Sequence, residues 1–540
     1  MNFNILSCDI LIIGGGGAGL RAAITARQKG ADATLVSKSR PGYGNNTYIS
    51  KGSFAAATGS WDSRDNPDIH VRDSIAGGRF INDRRLARLV AQEAGDQIEF
   101  LRKCGVTFSE KGGRIRIDHV PGHSYPRHVH TRDRSGKNLM VPLQSYAEKI
   151  GVRFVDRAFI TKLFTTGGKI AGAAGITRDG TFLAVAAPAV VLATGGFAQT
   201  YLHNNNAAGM TGDGQALAYE LGVPLKDMEF IQFYPTASGR LGNRLILYEA
   251  LIFQAGARLK NASGEDIIAK HGLNDPMSMT RDRLTRAVMT EILEGRAVRG
   301  GMIVDLSGVS KERLAYLRHL LPAAGAHGNR ELIVSPTAHF CMGGVNINEN
   351  AETAVPGLFA AGEVCAGLHG ANRLGGNALA EVFTLGGVAG ENAVKMVRGL
   401  HQPYLPEKEL LAEQVRIKSL FSAGREELRE LGRGLKTVMW QNAGIIRDRK
   451  GLEEALEKIS VIESRTENAG VQDYRQLITY LELRNLLLLS KMVCRAALLR
   501  TESRGAHYRS DYPSEDDENW LKNIIIVKQN STMNLEAVSV

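Results

Sequence analysis

Residues 9–37 read DILIIGGGGAGLRAAITARQKGADATLVS, and this stretch decides the fold. Its first five residues, DILII, form a short apolar run suited to a strand buried on both faces. Gly14-Gly15-Gly16-Gly17-Ala18-Gly19 follows at once and holds the pattern G-x-G-x-x-G. LRAAITARQKG then has helical composition and stops at Gly30, and ATLVS at 33–37 is a second strand. Strand, glycine turn, helix and strand in this order make a βαβ unit. The first glycine permits the tight turn, the second lets backbone approach a pyrophosphate, and the third lets helix pack on strand. The helix N-terminus then offers its N–H donors and positive dipole end to phosphate.

Beyond this unit, further glycine pairs stand at Gly195–Gly196, Gly343–Gly344 and Gly375–Gly376. AVVLA at 189–193 is another buried strand ending in Thr194-Gly195-Gly196, and GLFAAG at 357–362 is strand-like and leads to Glu363. The acidic residue that closes the second strand of an NAD site is missing, because Ser37-Lys38 stand there. Three glycine-bearing strand ends without that carboxylate favour FAD, whose long body needs several backbone contacts. Residues 152–155 and 162–185 alternate and turn like a small antiparallel sheet. Residues 236–335 carry more charge and helical periodicity, as in MTRDRLTRAVMTEILEG at 279–295, and read as an inserted segment. From about 405 the chain is charged and helical, and a three-helix bundle followed by a polar tail is expected.

Length and composition set outer limits. A chain of 540 residues needs two or three domains, and 44% hydrophobic with 23% charged residues is ordinary for a soluble protein. The formal charge of +10 is accompanied by no basic tract with interleaved aromatics and no nucleic-acid module. Nucleic acid is therefore not expected as a partner, and the charge reads as a solvated surface with a basic pocket for carboxylate and phosphate. Cys8, Cys104, Cys341, Cys365 and Cys494 fit no iron–sulfur or zinc spacing. They imply reduced thiols in a cytoplasmic setting and no metal relay within this polypeptide. The N-terminal apolar run enters the glycine turn directly and reads as a strand, not a signal peptide. No run reaches the roughly 18–20 apolar residues of a membrane helix. Direct membrane insertion is not expected, although a partner could hold the chain there.

Several longer segments resemble a known family. They are SK at 37–38, ATGGF at 193–197, GMTGDG at 209–214, SPTAHFCMGGV at 335–345, GLFAAGEV at 357–364, LHGANRLGGNAL at 368–379 and ESRGAHYRSDYP at 502–513. Over nearly the whole length the chain resembles the flavoprotein subunit of fumarate reductase and succinate dehydrogenase, whose relatives include L-aspartate oxidase. The resemblance implies an α/β fold in which a Rossmann-like FAD-binding domain (1–235 and 336–400) is interrupted by an α+β capping domain (236–335). A C-terminal helical domain and tail (401–540) would follow. It also implies hydride transfer between flavin N5 and the C=C/CH–CH unit of fumarate, succinate or a related 2-enoate. The substrate would be a small carboxylic acid, and the partner an iron–sulfur or other electron-transfer subunit.

Residue by residue, the resemblance assigns FAD contacts to Gly14, Gly16, Gly17, Ala18, Gly19, Ser37, Lys38, Gly52, Ala193, Thr194, Gly195, Asp213, Glu363, Asn377, Ala378 and Leu379. His339 and Arg373 would grip the carboxylate next to the alkene, where the planar fork of an arginine suits two oxygens. Arg281 matches the family's proton donor and Glu249 the carboxylate that restores its proton.

The pattern breaks in four places. No His occurs between residues 39 and 69, where respiratory members carry a covalent flavin link; Asn45 and Asn46 stand near that position, so FAD is expected to be noncovalent. The family's F-H-P-T is Phe233-Tyr234-Pro235-Thr236. Its T-E-x-x-R is Tyr248-Glu249-Ala250-Leu251-Ile252, which loses both the Thr and the relay arginine. Tyr234 and Tyr248 are then the expected donors to the distal end of the substrate. Two other readings stay open: an L-aspartate-oxidase-like flavoenzyme, and an FAD subunit that carries electrons without substrate chemistry.

Overall fold

Ile10–Ile13 lies at the centre of a five-stranded parallel sheet in the order Leu358–Ala360, Ala189–Leu192, Ile10–Ile13, Ala33–Val36, Arg153–Val155. The computed structural model describes residues 3–60, 62–238, 246–316, 330–422, 424 and 426–540. All four side chains of Ile10–Ile13, and all four of Ala33–Val36, are buried, as a central parallel strand requires. Burial of each Ile, Leu or Val contributes about 1.5–3 kcal/mol.

The helix Gly17–Gln28 covers one face of this sheet with Ala18, Leu20, Ala22, Ala23, Ile24 and Ala26. Its small residues let the helix Asn377–Val397 lie almost backbone to backbone against it: a Cβ added at Gly386 or Gly390 would sit 2.7 Å from Ala18 O or 2.5 Å from Ala22 O. This crossing brings two helix N-termini to one end of the sheet. The expected antiparallel sheet is formed by Ala158–Thr166, Lys169–Thr177 and Phe182–Ala186, and Phe3–Ser7 adds in parallel to its edge; residues 153–155, expected in it, instead pair in parallel with Ala33–Val36 at the edge of the central sheet.

A second core occupies the inserted segment. Ile231–Ser238 and Glu331–Cys341 pair with each other and continue into Met302–Asp305 and Arg258–Lys260, giving four antiparallel strands. Leu284, Ala287 and Val288 of the helix Arg281–Leu293 join Leu247, Leu251, Leu259 and Val304 in that core. Residues 239–245 and 317–329 of the expected capping segment lie outside the described residues.

The C-terminal region departs from the expected bundle and tail. Among the described residues four long helices are present, at Glu407–Ser419, Leu428–Asn442, Arg449–Glu467 and Tyr474–Leu499, with a short one at Asp517–Trp520. In place of a polar tail the chain ends in a hairpin, Lys522–Gln529 with Thr532–Ser539. Its first strand pairs with Leu225–Lys226 of the FAD half. The physical cause is the run of Ile524, Ile525, Ile526 and Val527, of which Ile524 and Ile526 are fully buried against that half.

ESRGAHYRSDYP welds the helices to the rest. Arg500 donates to Glu229 at 2.7 Å and to Glu502 at 2.9 Å, and Arg504 donates to Glu502 at 2.8 and 2.9 Å. Arg500, Arg504, Glu229 and Glu502 have no solvent-exposed side-chain surface. Among the described residues no helix is long and apolar enough to cross a membrane.

Candidate active site

One cavity of about 900 Å³ runs from the glycine turn to the inserted segment. At one end Gly14, Gly16, Gly17 and Ala18 line it, and the helix Gly17–Gln28 has no side-chain cap on its N-cap residue Gly16. A Cβ at Gly16 would find nothing closer than 3.9 Å, so this backbone faces open space. Gly19 does not reach the cavity; a Cβ there would collide with Gly14 O, so its role is close helix–strand packing. Ser37, Lys38, Ala193, Thr194, Gly195, Asp213 and Glu363 continue the lining. The second helix, Asn377–Val397, presents Ala378 and Leu379, again without a side-chain cap. Two uncapped N-termini and glycine backbone in one elongated cavity suit a dinucleotide with its pyrophosphate at the first.

The Asn377 side chain turns away from the cavity, toward Ser74 Oγ at 2.9 Å and His70 Nε2 at 2.8 Å. Gly52 also lies off the lining. Its φ of +58° and its clamp between Ser50 and Thr131 fix the backbone behind the cavity wall. Lys38 donates to Asp213 Oδ2 at 2.7 Å, Glu482 Oε1 at 2.7 Å and Thr211 Oγ1 at 2.6 Å. Burial works against its charge, but the two carboxylates outweigh burial and raise its pKa. Glu482 comes from the helix Tyr474–Leu499, so the C-terminal helices close this end.

At the other end the cavity meets four of the six residues expected to handle substrate: Glu249, Arg281, His339 and Arg373. Glu249 stands in the π-helical turn Tyr248–Phe253, and Arg281 opens the helix Arg281–Leu293. Arg281 donates through Nε and Nη2 to Glu249 Oε1 at 3.1 and 2.6 Å. Burial would raise the Glu249 pKa, yet Arg281, Lys51 and the Tyr234 hydroxyl hold it well below the carboxylate range. Arg373 lies 4.4 Å over the Phe340 ring, and burial and Arg281 push its pKa down to about 9. The His339 ring nitrogen Nδ1 is 3.1 Å from Asn205 Oδ1. Burial, then Arg373 and Arg281, keep this imidazole neutral.

Tyr234 and Tyr248 do not line the large cavity. The Tyr234 hydroxyl donates to Glu249 Oε2 and the Tyr248 hydroxyl to the Met279 carbonyl. Both rings are fully buried, and both donors are spent on protein acceptors.

The FAD-binding domain family matches residues 9–379, and the C-terminal family of fumarate reductase flavoproteins matches residues 432–540. The chain belongs to the fumarate reductase and succinate dehydrogenase flavoprotein family. One subunit of the CoM/CoB fumarate reductase of Methanothermobacter marburgensis is 35% identical, over 97% of this chain and 98% of that one. The L-aspartate oxidase of Pyrococcus horikoshii is 33% identical, over 93% of this chain and 95% of its own length. A mutant E. coli quinol fumarate reductase superposes with a TM-score of 0.93 at 28% identity, covering 100% of this chain and 97% of that one. As a flavoprotein of this family the chain is an FAD-dependent oxidoreductase acting on CH–CH groups, with the α/β FAD-binding fold and C-terminal helices described above.

In this flavoprotein the segment after Lys38 has specific local roles. Asn45 caps the short helix Asn46–Ile49, accepting from Tyr48 N at 3.0 Å. Asn46 donates to Glu363 Oε2 at 3.0 Å and to Asn206 Oδ1 at 2.5 Å. Both line the cavity. Three other residues of the site escape sequence reasoning. Glu482 lies in a charged helix with nothing to single it out. Gln232 stands one residue before Phe233-Tyr234-Pro235, and this adjacency to the motif is the signal that could have found it; in the structure it is completely buried. Lys51 lines the cavity beside Glu249 from a loop with no motif of its own. Among the described residues no group of three or more His, Cys, Asp or Glu could hold a metal ion.

Proposed function

We propose that this flavoprotein reduces the C=C bond of a small 2-enoate such as fumarate, using noncovalent FAD and electrons from a separate iron–sulfur or other redox subunit. The observation that carries the reading is the cluster Arg281–Glu249, Arg373 and His339 on the same cavity as the glycine cradle. Bound FAD supplies the hydride.

The protein's own groups do the rest. Arg373 and His339 hold the carboxylate conjugated to the alkene, where the positive charge of Arg373 stabilises charge that develops as the double bond is broken. Arg281 gives its proton to the second carbon. An arginine is a weak acid in water, but a carbanion is basic enough to accept that proton, and the Glu249 carboxylate, bonded to both Nε and Nη2, is placed to pass on a replacement proton taken up from solvent. The cavity wall of Val120, Phe340 and Ala378 keeps water from the reacting carbons.

Asn45 and Asn46 support noncovalent binding, since both amides are engaged in holding the cavity wall and neither offers a ring nitrogen for a flavin link. The five buried, unpaired cysteines support a cytoplasmic location, with any membrane attachment made through the partner.

The test is anaerobic. Acid should release free FAD from the purified protein, and fumarate should rapidly reoxidise the reduced flavin. Rapid reduction of the oxidised flavin by aspartate, with no response to any enoate, would favour the oxidase relatives. Silence toward aspartate and every enoate would leave an electron-carrying subunit.

A further inference from the structure

The substrate end of the cavity holds more positive charge than its own carboxylates balance. Arg281 is paired with Glu249. Arg134 is held by Asp118 at 2.5 Å, and His339 is neutral. Glu363 accepts from Asn46 and from Cys341 N, and burial raises its pKa to about 7. Two cations then remain without a carboxylate partner among the described residues. Arg373 donates only to the neutral Gln232, and the Lys51 ammonium makes no hydrogen bond or ion pair there.

Lys51 is fixed where it stands. It follows the helix Asn46–Ile49 and precedes Gly52, whose carbonyl accepts from Thr131 N at 2.9 Å. Burial lowers its pKa to about 8, with Glu249 opposing and Arg281 and Arg134 adding to the fall. The same signature marks Arg373. Arg373, which is buried, and Lys51, which is half-buried, both line the cavity without a carboxylate partner among the described residues, and such a pair of cations offers a place to two negative charges. Meanwhile Tyr234 and Tyr248, the residues expected at the distal end, have turned their hydroxyls elsewhere.

We propose that Lys51 receives the second anionic group of the substrate, so that the site selects dianionic 2-enoates over monoanionic ones. The inference rests on the enoate reductase reading above. It assigns distal recognition to a lysine on a loop that lines the cavity, in place of Tyr234 and Tyr248.

Binding of unreactive anions to the oxidised holoenzyme tests it without turnover. Malonate and propionate are titrated in turn, read by the flavin absorbance change. In Lys51→Gln the ratio of malonate to propionate affinity should fall about 10–100-fold, the worth of one charge-assisted hydrogen bond. Lys51→Arg should recover most of that ratio and guards against a folding defect in the first variant. With fumarate, Lys51→Gln should raise KM far more than it lowers kcat. An unchanged affinity ratio, or a shift of the flavin midpoint potential with malonate affinity intact, overturns the proposal. Lysine-dependent malonate binding in a protein that reduces no enoate would sink the reductase reading and leave this one standing.

Discussion

Arg281 and Arg373 aim their guanidinium groups at one and the same oxygen, the side-chain carbonyl of Gln232. Arg281 Nη1 donates to it at 3.0 Å, and Arg373 donates through Nε and Nη2 at 3.2 and 3.0 Å. The Gln232 amide in turn donates to Asn372 Oδ1 at 3.0 Å and the Arg373 carbonyl at 2.7 Å, so the carbonyl cannot rotate away. A proton donor and a carboxylate clamp thus share a neutral spacer, which screens two like charges without consuming either.

Gln232→Leu removes that spacer and leaves the guanidinium groups to repel each other. Loss of hydrogen bonds to charged groups costs about 1.5–3 kcal/mol each, so kcat/KM for the enoate should fall roughly 10–100-fold. Gln232→Glu should instead raise KM, because a carboxylate at this position would pair with Arg373 and compete with substrate. Steady-state kinetics on the FAD-loaded protein distinguishes the two.

Tyr234→Phe probes whether that hydroxyl serves Glu249 or the substrate. The Glu249 pKa is depressed, so its carboxylate is lost only as pH falls through that low value. Without the tyrosine donor the pKa rises, and the acid limb of the kcat profile should move to higher pH while KM changes by less than about twofold. A large rise in KM with the acid limb in place would mean that the hydroxyl touches substrate.

Anion affinity should depend on pH in a window set by Lys51. Its pKa in the empty site lies at about 8, and an anion beside it raises that value. Binding is therefore at full strength below pH 8 and weakens as pH rises beyond it. In Lys51→Gln the part of the decline that begins near pH 8 should vanish from malonate titrations.

Glu482→Gln should loosen FAD although the residue belongs to the C-terminal helices. Lys38 keeps Asp213 and Thr211 but loses one of two carboxylates. Retention of FAD through gel filtration, and the Kd from reconstitution, should weaken about tenfold, within the range of one charged hydrogen bond.

Glu502→Ala leaves Arg500 and Arg504 buried with an incomplete set of partners. Breaking a buried ion pair on one side costs about 3–5 kcal/mol. Urea unfolding should show that loss, whereas Glu502→Gln, which keeps an acceptor oxygen, should lose less.

The FAD half was open to reading because its signals are local. A parallel strand buried on both faces is apolar at every position, and Gly14, Gly16 and Gly19 are spaced by the turn they make. The helix expected at 279–295 begins at Arg281, just after Thr280, whose backbone is extended. The C-terminal hairpin has its own signal, four apolar residues before Asn530-Ser531, both in the left-handed conformation, but overall polarity conceals it. Lys51 has no local signal at all. Its meaning arises only when folding sets residue 51 beside residues 249 and 281, which periodicity does not encode. Tyr234 and Tyr248 fail for the converse reason: motif position locates each side chain but not the acceptor its hydroxyl finds.

The pairing of Lys522–Gln529 with Leu225–Lys226 sets a timetable for biosynthesis. The glycine turn leaves the ribosome long before the residues that complete its surroundings. Its parallel sheet lacks an edge until Leu358–Ala360 appears, and its cavity lacks Glu482 until nearly the whole chain is made. At about 5–20 residues per second, that wait is roughly half a minute to two minutes. Such long-range closure folds slowly: Leu225–Lys226 waits for Lys522–Gln529, and the Lys38 end of the nucleotide site stays open until the helix Tyr474–Leu499 docks. Flavin loading is accordingly expected only after the helix Tyr474–Leu499 has been made and has brought Glu482 to Lys38.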